Sequence, residues 1–127
     1  MTNRAIISTP NAPEAIGPYS QAVKVGNTVW LSGQIPLVPG TMELVAGDIQ
    51  VQARQVFSNL AAVADAAGGD LSNAVKINIS LTDMADFAAV NEVMAEFLQP
   101  PFPARACVQV AGLPKGVAIE VEAILAL

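Results

Sequence analysis

Residues 75 to 82 alternate strictly: Val75, Ile77, Ile79 and Leu81 are apolar, and Lys76, Asn78, Ser80 and Thr82 are polar. Successive side chains leave a strand on opposite faces, so this period of two predicts a β-strand with one buried face. Helical patterns flank it. Ahead of it, Ala53, Val56, Phe57, Leu60, Val63, Ala64 and Ala67 recur at helical spacing after the N-cap Asp48, and Gly68-Gly69 end the run. Behind it, Asp83 is a second N-cap, and Phe87, Val90, Met94 and Phe97 share one stripe of a helix reaching about Leu98, where Pro100 and Pro101 stop it. A strand between two amphipathic helices needs further strands, because those helices must bury their apolar stripes on a sheet.

The rest of the chain supplies them. Pro10, Pro13 and Pro18 exclude continuous helix from the first 18 residues, leaving a short strand at Arg4 to Ser8 and an ordered loop. Gln21 to Val25 and Thr28 to Ser32 form a hairpin across Gly26-Asn27. After a Pro/Gly-rich connection from Pro36 to Gly47 and the two helices, the last quarter reads as two strands, Ala104 to Val110 and Val117 to Ala126, joined by Gly112-Leu113-Pro114-Lys115-Gly116. The order β-β-β-α-β-α-β-β, with no repeat or linker, describes one α+β domain over residues 1–127, both helices on one face of the sheet.

The other face needs cover. From Val117 to Leu125 the odd positions are apolar and the even ones include Glu120 and Glu122, so neither face of the final strand is simply polar. Hydrophobic residues make up 53% of the chain and charged residues 13%, the latter about half the usual share. So few charges cover a lone monomer poorly, and self-association through an apolar face is expected.

Charge and composition exclude several function classes. The net charge is −5 and the six basic residues are scattered, so no phosphate-tracking surface is visible and nucleic acid is not an expected partner. No apolar run approaches the roughly 18 to 20 residues of a membrane span, and Met1 to Pro10 lacks the apolar region of a secretory signal. A soluble, unprocessed cytoplasmic chain is expected, with no membrane partner. With no histidine and a single cysteine, Cys107, no metal cluster, disulfide or His-assisted nucleophile is expected.

Among candidate site residues, Arg105, Cys107 and Gln109 share one face of the penultimate strand. If the following loop closes a hairpin, symmetric pairing sets Arg105 across from Glu120; a shift of one residue abolishes this. Such a pair can clamp a substrate carboxylate and orient water, or it can be a structural cross-strand ion pair. Cys107 fits a pocket wall or a small core hydrophobe better than a nucleophile. Tyr19, in the rigid Gly17-Pro18-Tyr19-Ser20, offers a held hydroxyl or plain packing, and Ser32-Gly33-Gln34 offers a backbone amide to an anion or a plain turn.

Five separated segments, in order, resemble the Rid family, also called YjgF-like or reactive intermediate deaminases. They are Ala15-Ile16-Gly17-Pro18-Tyr19-Ser20-Gln21-Ala22, Ser32-Gly33-Gln34-Ile35-Pro36, Gln52-Ala53-Arg54-Gln55, Phe102-Pro103-Ala104-Arg105 with Cys107, and Ile119-Glu120-Val121-Glu122-Ala123. The resemblance implies a chorismate-mutase-like α+β fold whose mixed sheets meet in a homotrimer as a central barrel, leaving inter-subunit clefts. It implies that Arg105 grips the substrate carboxylate, that Glu120 places the hydrolytic water, and that Tyr19, Gly33 and Cys107 line the cleft with Asn91 nearby. The implied reaction is hydrolytic deamination of 2-aminoacrylate and 2-aminocrotonate, or their imine tautomers, to 2-keto acids and ammonia. No cofactor is implied: pyridoxal phosphate belongs to the enzymes that make these substrates, and Lys24, Lys76 and Lys115 read as solvated positions. Two departures bear on cleft width and lining: the short Leu98-Gln99-Pro100-Pro101 connection, and Ala106 where relatives often carry a hydroxyl. A non-catalytic trimer binding small keto or amino acids would use the same pocket. The nuclease or translation-inhibitor activity attached to some relatives fits the acidic chain least.

Overall fold

A computed structural model describes residues 3–127; Met1 and Thr2, part of the stretch inspected for a signal and of the domain span 1–127, lie outside the described residues. Six strands form one sheet: β1 (Arg4–Ile7), β2 (Ala22–Val25), β3 (Thr28–Gln34), β4 (Ala74–Leu81), β5 (Ala104–Gln109) and β6 (Ile119–Ala126). Two helices, α1 (Ile49–Ala66) and α2 (Phe87–Phe97), complete the α+β fold.

The helix signals act as expected. Asp48 caps α1 by accepting from the Val51 amide at 3.0 Å, and Gly68, at φ +95°, turns the chain out of it. Asp83 caps a short 3₁₀ turn, Met84–Asp86, that leads into α2, so the α-helix proper begins at Phe87. Val56, Phe57, Leu60, Val63, Val90 and Val93 are fully buried against Ile77, Ile79, Leu81, Ile119, Val121 and Leu125. Both helices therefore cover the sheet face to which the odd residues of β4 and β6 point.

The strand order is β1-β2-β3-β6-β4-β5. β2 and β3 form the expected hairpin, Val25 opposite Thr28, with positive φ at Gly26. The last two strands do not. β5 lies parallel to β4, joined to it through α2 as a β-α-β crossover, while β6 runs antiparallel between β3 and β4. The expected β5–β6 hairpin is thus replaced by a connection over the end of β4: the Val110 amide donates to the Leu81 carbonyl at 2.8 Å, and Thr82 to Ala118 at 3.1 Å. Central β4 is buried by a partner on each side, which a local hairpin would have left half-paired.

Val75 also departs from expectation. Pairing with β6 steps from Ala74 to Lys76 across a single position of the partner, so Val75 is the extra residue of a bulge and is exposed.

Among the described residues, the sheet's other face carries no helix. On it stand Ile6, Val25 and Trp30 of β1, β2 and β3 and Val108 of β5, with Trp30 46% and Val108 51% exposed. Glu120, Glu122 and Ile124 of β6 point the same way.

Candidate functional site

Glu120 sits opposite Ser80 of β4, and Glu122 opposite Asn78, on the uncovered face. Asn78 Nδ2 donates to Glu122 Oε1 at 3.2 Å. Glu120 is half-buried and, among the described residues, no donor reaches its carboxylate. Burial, and then the like charge of Glu122, push its carboxyl above the ordinary glutamate range. It lies over the β3 backbone at Gly33, where a Cβ would stand 2.8 Å from Glu120 Cδ. A side chain at position 33 would displace the Glu120 carboxyl, and β3 itself is bulged between Leu31 and Gln34 at this point.

Around Glu120 a cavity of about 610 Å³ opens, lined by Tyr19, Gly33, Glu122, Pro114 and Lys115 among others. Its N-terminal wall hangs on Gln21, a buried side chain whose Nε2 donates to the carbonyls of Pro13 at 2.8 Å and Thr9 at 3.1 Å, and whose Oε1 accepts from the Thr9 amide at 2.7 Å. Its opposite wall is held by Asn59, buried in α1, which donates to the Leu37 carbonyl at 2.9 Å.

Arg105 occupies a different place. In the parallel pairing it stands beside Ile77, and Cys107 beside Ile79, so both point to the helix face. The guanidinium lies 4.9 Å from the centre of the Phe87 ring and donates through Nη1 to Asn91 Oδ1, both on α2. A second cavity, of about 480 Å³, is lined by Arg105, Asn91, Met94, Leu98, Phe102 and Pro103. Cys107 is half-buried, packed against the core and lining neither cavity; burial pushes its thiol up, more than the neighbouring Arg105 lowers it, which disfavours the thiolate.

The structure therefore gathers the six candidate residues into two groups. Tyr19, Gly33 and Glu120 surround one cavity, Arg105 and Asn91 line the other, and Cys107 shares the helix-side face of Arg105's strand but lines neither. The expected cross-strand facing of Arg105 and Glu120 is corrected: β4 separates their strands and their side chains leave opposite faces.

Sequence reasoning missed three participants. Phe87 reads as part of the α2 core stripe yet forms the bed of Arg105. Gln21 stands inside a motif without revealing what it holds. Lys115 reads as a solvated loop residue but lines the Glu120 cavity, in a left-handed conformation at φ +57° within the Pro114–Gly116 turn; Gly116 beside it was the available signal of an irregular turn.

The family model described as Endoribonuclease L-PSP matches residues 9–127. The chain is 53% identical over 127 residues to a 2-iminobutanoate/2-iminopropanoate deaminase of Dermatophagoides farinae, covering 100% of this chain and 99% of that one. It is 49% identical over 121 residues to the mouse protein of the same name, covering 95% and 90%. Among solved structures it is similar to RidA from an Antarctic Psychrobacter, with 56% identity, a TM-score of 0.93 and coverage of 97% and 99%. It is also similar to E. coli TdcF with bound serine, with 45% identity, a TM-score of 0.91 and coverage of 97% and 98%. The chain belongs to the family described as Endoribonuclease L-PSP, which is the Rid family that its five motifs resemble.

Proposed function

We infer that this protein is an imine deaminase, hydrolysing short-chain enamine and imine acids such as 2-aminoacrylate and 2-aminocrotonate to 2-keto acids and ammonia, at sites assembled between subunits. The observation that carries the reading is Arg105. Asn91 and the Phe87 ring fix its guanidinium while leaving donors directed at an open cavity, an arrangement suited to holding a carboxylate through two parallel hydrogen bonds. The deaminase names of relatives at about half identity agree with it.

The chemistry needs little more. In the imine tautomer the carbon is already electrophilic. Water adds its oxygen to that carbon, the C=N π electrons pass to nitrogen, and the tetrahedral adduct collapses to the ketone as the C–N bond breaks and ammonia leaves. Glu120, ionised, takes one water proton and delivers it to nitrogen during addition, then carries the adduct's hydroxyl proton to nitrogen as the C–N bond breaks, so both water protons end on ammonia and the protein consumes none. Tyr19 and the Gly33 backbone line the space in which the adduct forms.

Because one chain sets Arg105 and Glu120 on opposite sheet faces, a neighbouring copy must supply one of them. The apolar face bearing Trp30 and Val108 is the surface through which copies associate, and a homotrimer with three equivalent clefts satisfies both requirements. Lacking a basic stripe, the chain suits a small anion better than RNA despite the family's description, and a cytoplasmic setting suits its substrates' chemistry.

The bound serine of TdcF favours one second reading, a binding trimer that holds small amino or keto acids without turnover. The test generates 2-aminoacrylate in situ with a serine dehydratase and follows pyruvate and ammonia above the spontaneous rate. Acceleration that disappears in Arg105→Ala is expected; no acceleration from serine- or threonine-derived intermediates would leave the binding trimer.

A further inference from the structure

Glu122 has no part in the chemistry above, yet it lines the same cavity as Glu120. The two carboxylates are two residues apart on β6, so they point to the same sheet face in consecutive rows, and the rows are fixed by antiparallel pairing with β4. Asn78, directly opposite Glu122, donates to its Oε1 at 3.2 Å and holds it beside Glu120 in this arrangement. The hydrogen bond keeps this exposed carboxylate in the row next to a half-buried second one.

We propose that Glu122 is a positioning residue for the site, a negative charge anchored by Asn78 that sets the pH at which Glu120 becomes the ionised base. This rests on the reading of Glu120 as the group that activates water. The charged and titratable neighbours of Glu120 are few. Lys115 from the 114–116 turn and Glu14 and Tyr19 from the N-terminal loop line the cavity. β4 presents Ser80 and Asn78, which carry no charge, with Lys76 farther along beside Ile124; β3 presents Ser32 and Gly33. In the assembled cleft, Arg105 of a neighbouring copy opposes the effect of Glu122. Glu122 is the one like charge fixed on the same strand, and its influence on Glu120 follows in direction from Coulomb repulsion: the neutral form of Glu120 persists to higher pH.

The replacement Glu122→Gln keeps the Asn78 hydrogen bond and removes only the charge. Carbon-13 glutamate carboxyl titration of the intact protein, with the Glu120 resonance assigned through its loss in Glu120→Gln, reads the coupling directly. The Glu120 midpoint is expected to fall by about half a pH unit in Glu122→Gln, and the acid limb of kcat in the dehydratase-coupled assay to move to lower pH with it. A merely structural role would lower activity at every pH without displacing the limb. A midpoint that falls in a protein showing no turnover supports the coupling while overturning the deaminase reading. A midpoint unchanged by Glu122→Gln overturns the proposal whatever the activity.

Discussion

Glu120 gathers several constraints at one residue. A carboxyl whose folded-state value is raised is bound to its proton more tightly in the folded chain than in the unfolded one. Its contribution to stability is therefore fully present below the ordinary glutamate range and is lost as pH rises through the raised value. Asp70 and Glu96 act in the opposite sense: the hydrogen bond from Ser72 and that from Arg54 lower them, so what they contribute is lost as pH falls. The difference between wild type and Glu120→Gln isolates the one group. Urea unfolding midpoints followed from about pH 4 to 7 should show the wild type losing ground to the variant as pH rises; parallel curves would mean that Glu120 is not perturbed. For Arg105, replacement by alanine removes both carboxylate donors, and kcat/KM should fall about 100-fold or more. Lysine there keeps the charge but not the fork, and should recover only part of the loss. Residue types made these two positions legible in the sequence, since Arg105 stands in a Pro-Ala-Arg motif and Glu120 in an alternating strand. Their surroundings were legible only in part: the resemblance puts Asn91 nearby, but that Phe87 beds Arg105 follows only from the packing of α2 on the sheet.

At the scale of elements, periodicity and caps carried far. α1 begins after Asp48 and ends before Gly68-Gly69 because each signal acts within a few residues of itself, and the Gly26-Asn27 hairpin is equally local. What the chain does not declare locally is which strand lies beside which. β5 and β6 follow one another across a short irregular turn and look like a hairpin, but β4 offers each a better-buried neighbour and separates them. That insertion moves Arg105 away from Glu120 and sends it to the other face. The Val75 bulge escaped for the same reason, since a period of two cannot show a partner's register. Gly33 shows how an element shapes the site: a methyl group there would meet the Glu120 carboxyl from the β3 backbone. Gly33→Ala should leave the thermal midpoint near that of wild type, because the cavity is open and Glu120 can turn outward, while lowering kcat roughly tenfold or more through the displaced base. A cooperative loss of fold instead would assign Gly33 to the framework.

The whole molecule is where one chain falls short of the proposed chemistry. A sheet with helices on one face and Ile6, Val25, Trp30 and Val108 exposed on the other presents an apolar surface; the composition, poor in charge, raised the expectation of self-association without saying through which surface. Trp30→Glu puts a charge into that face without touching the helix-side core. Sedimentation should show smaller species with unchanged helix content, and deaminase activity should fall along with the assembly; an assembled, active variant would remove this face from the interface.

The central claim, that Arg105 and Glu120 of different copies make one site, is tested most directly by complementation. Arg105→Ala and Glu120→Gln, each inactive alone, are unfolded and refolded together, and the mixed oligomers are assayed on 2-aminoacrylate. Sites that pair an intact Arg105 from one chain with an intact Glu120 from the next should restore about a quarter of wild-type activity. Mixed oligomers that form and remain as inactive as either parent would contradict an inter-subunit site.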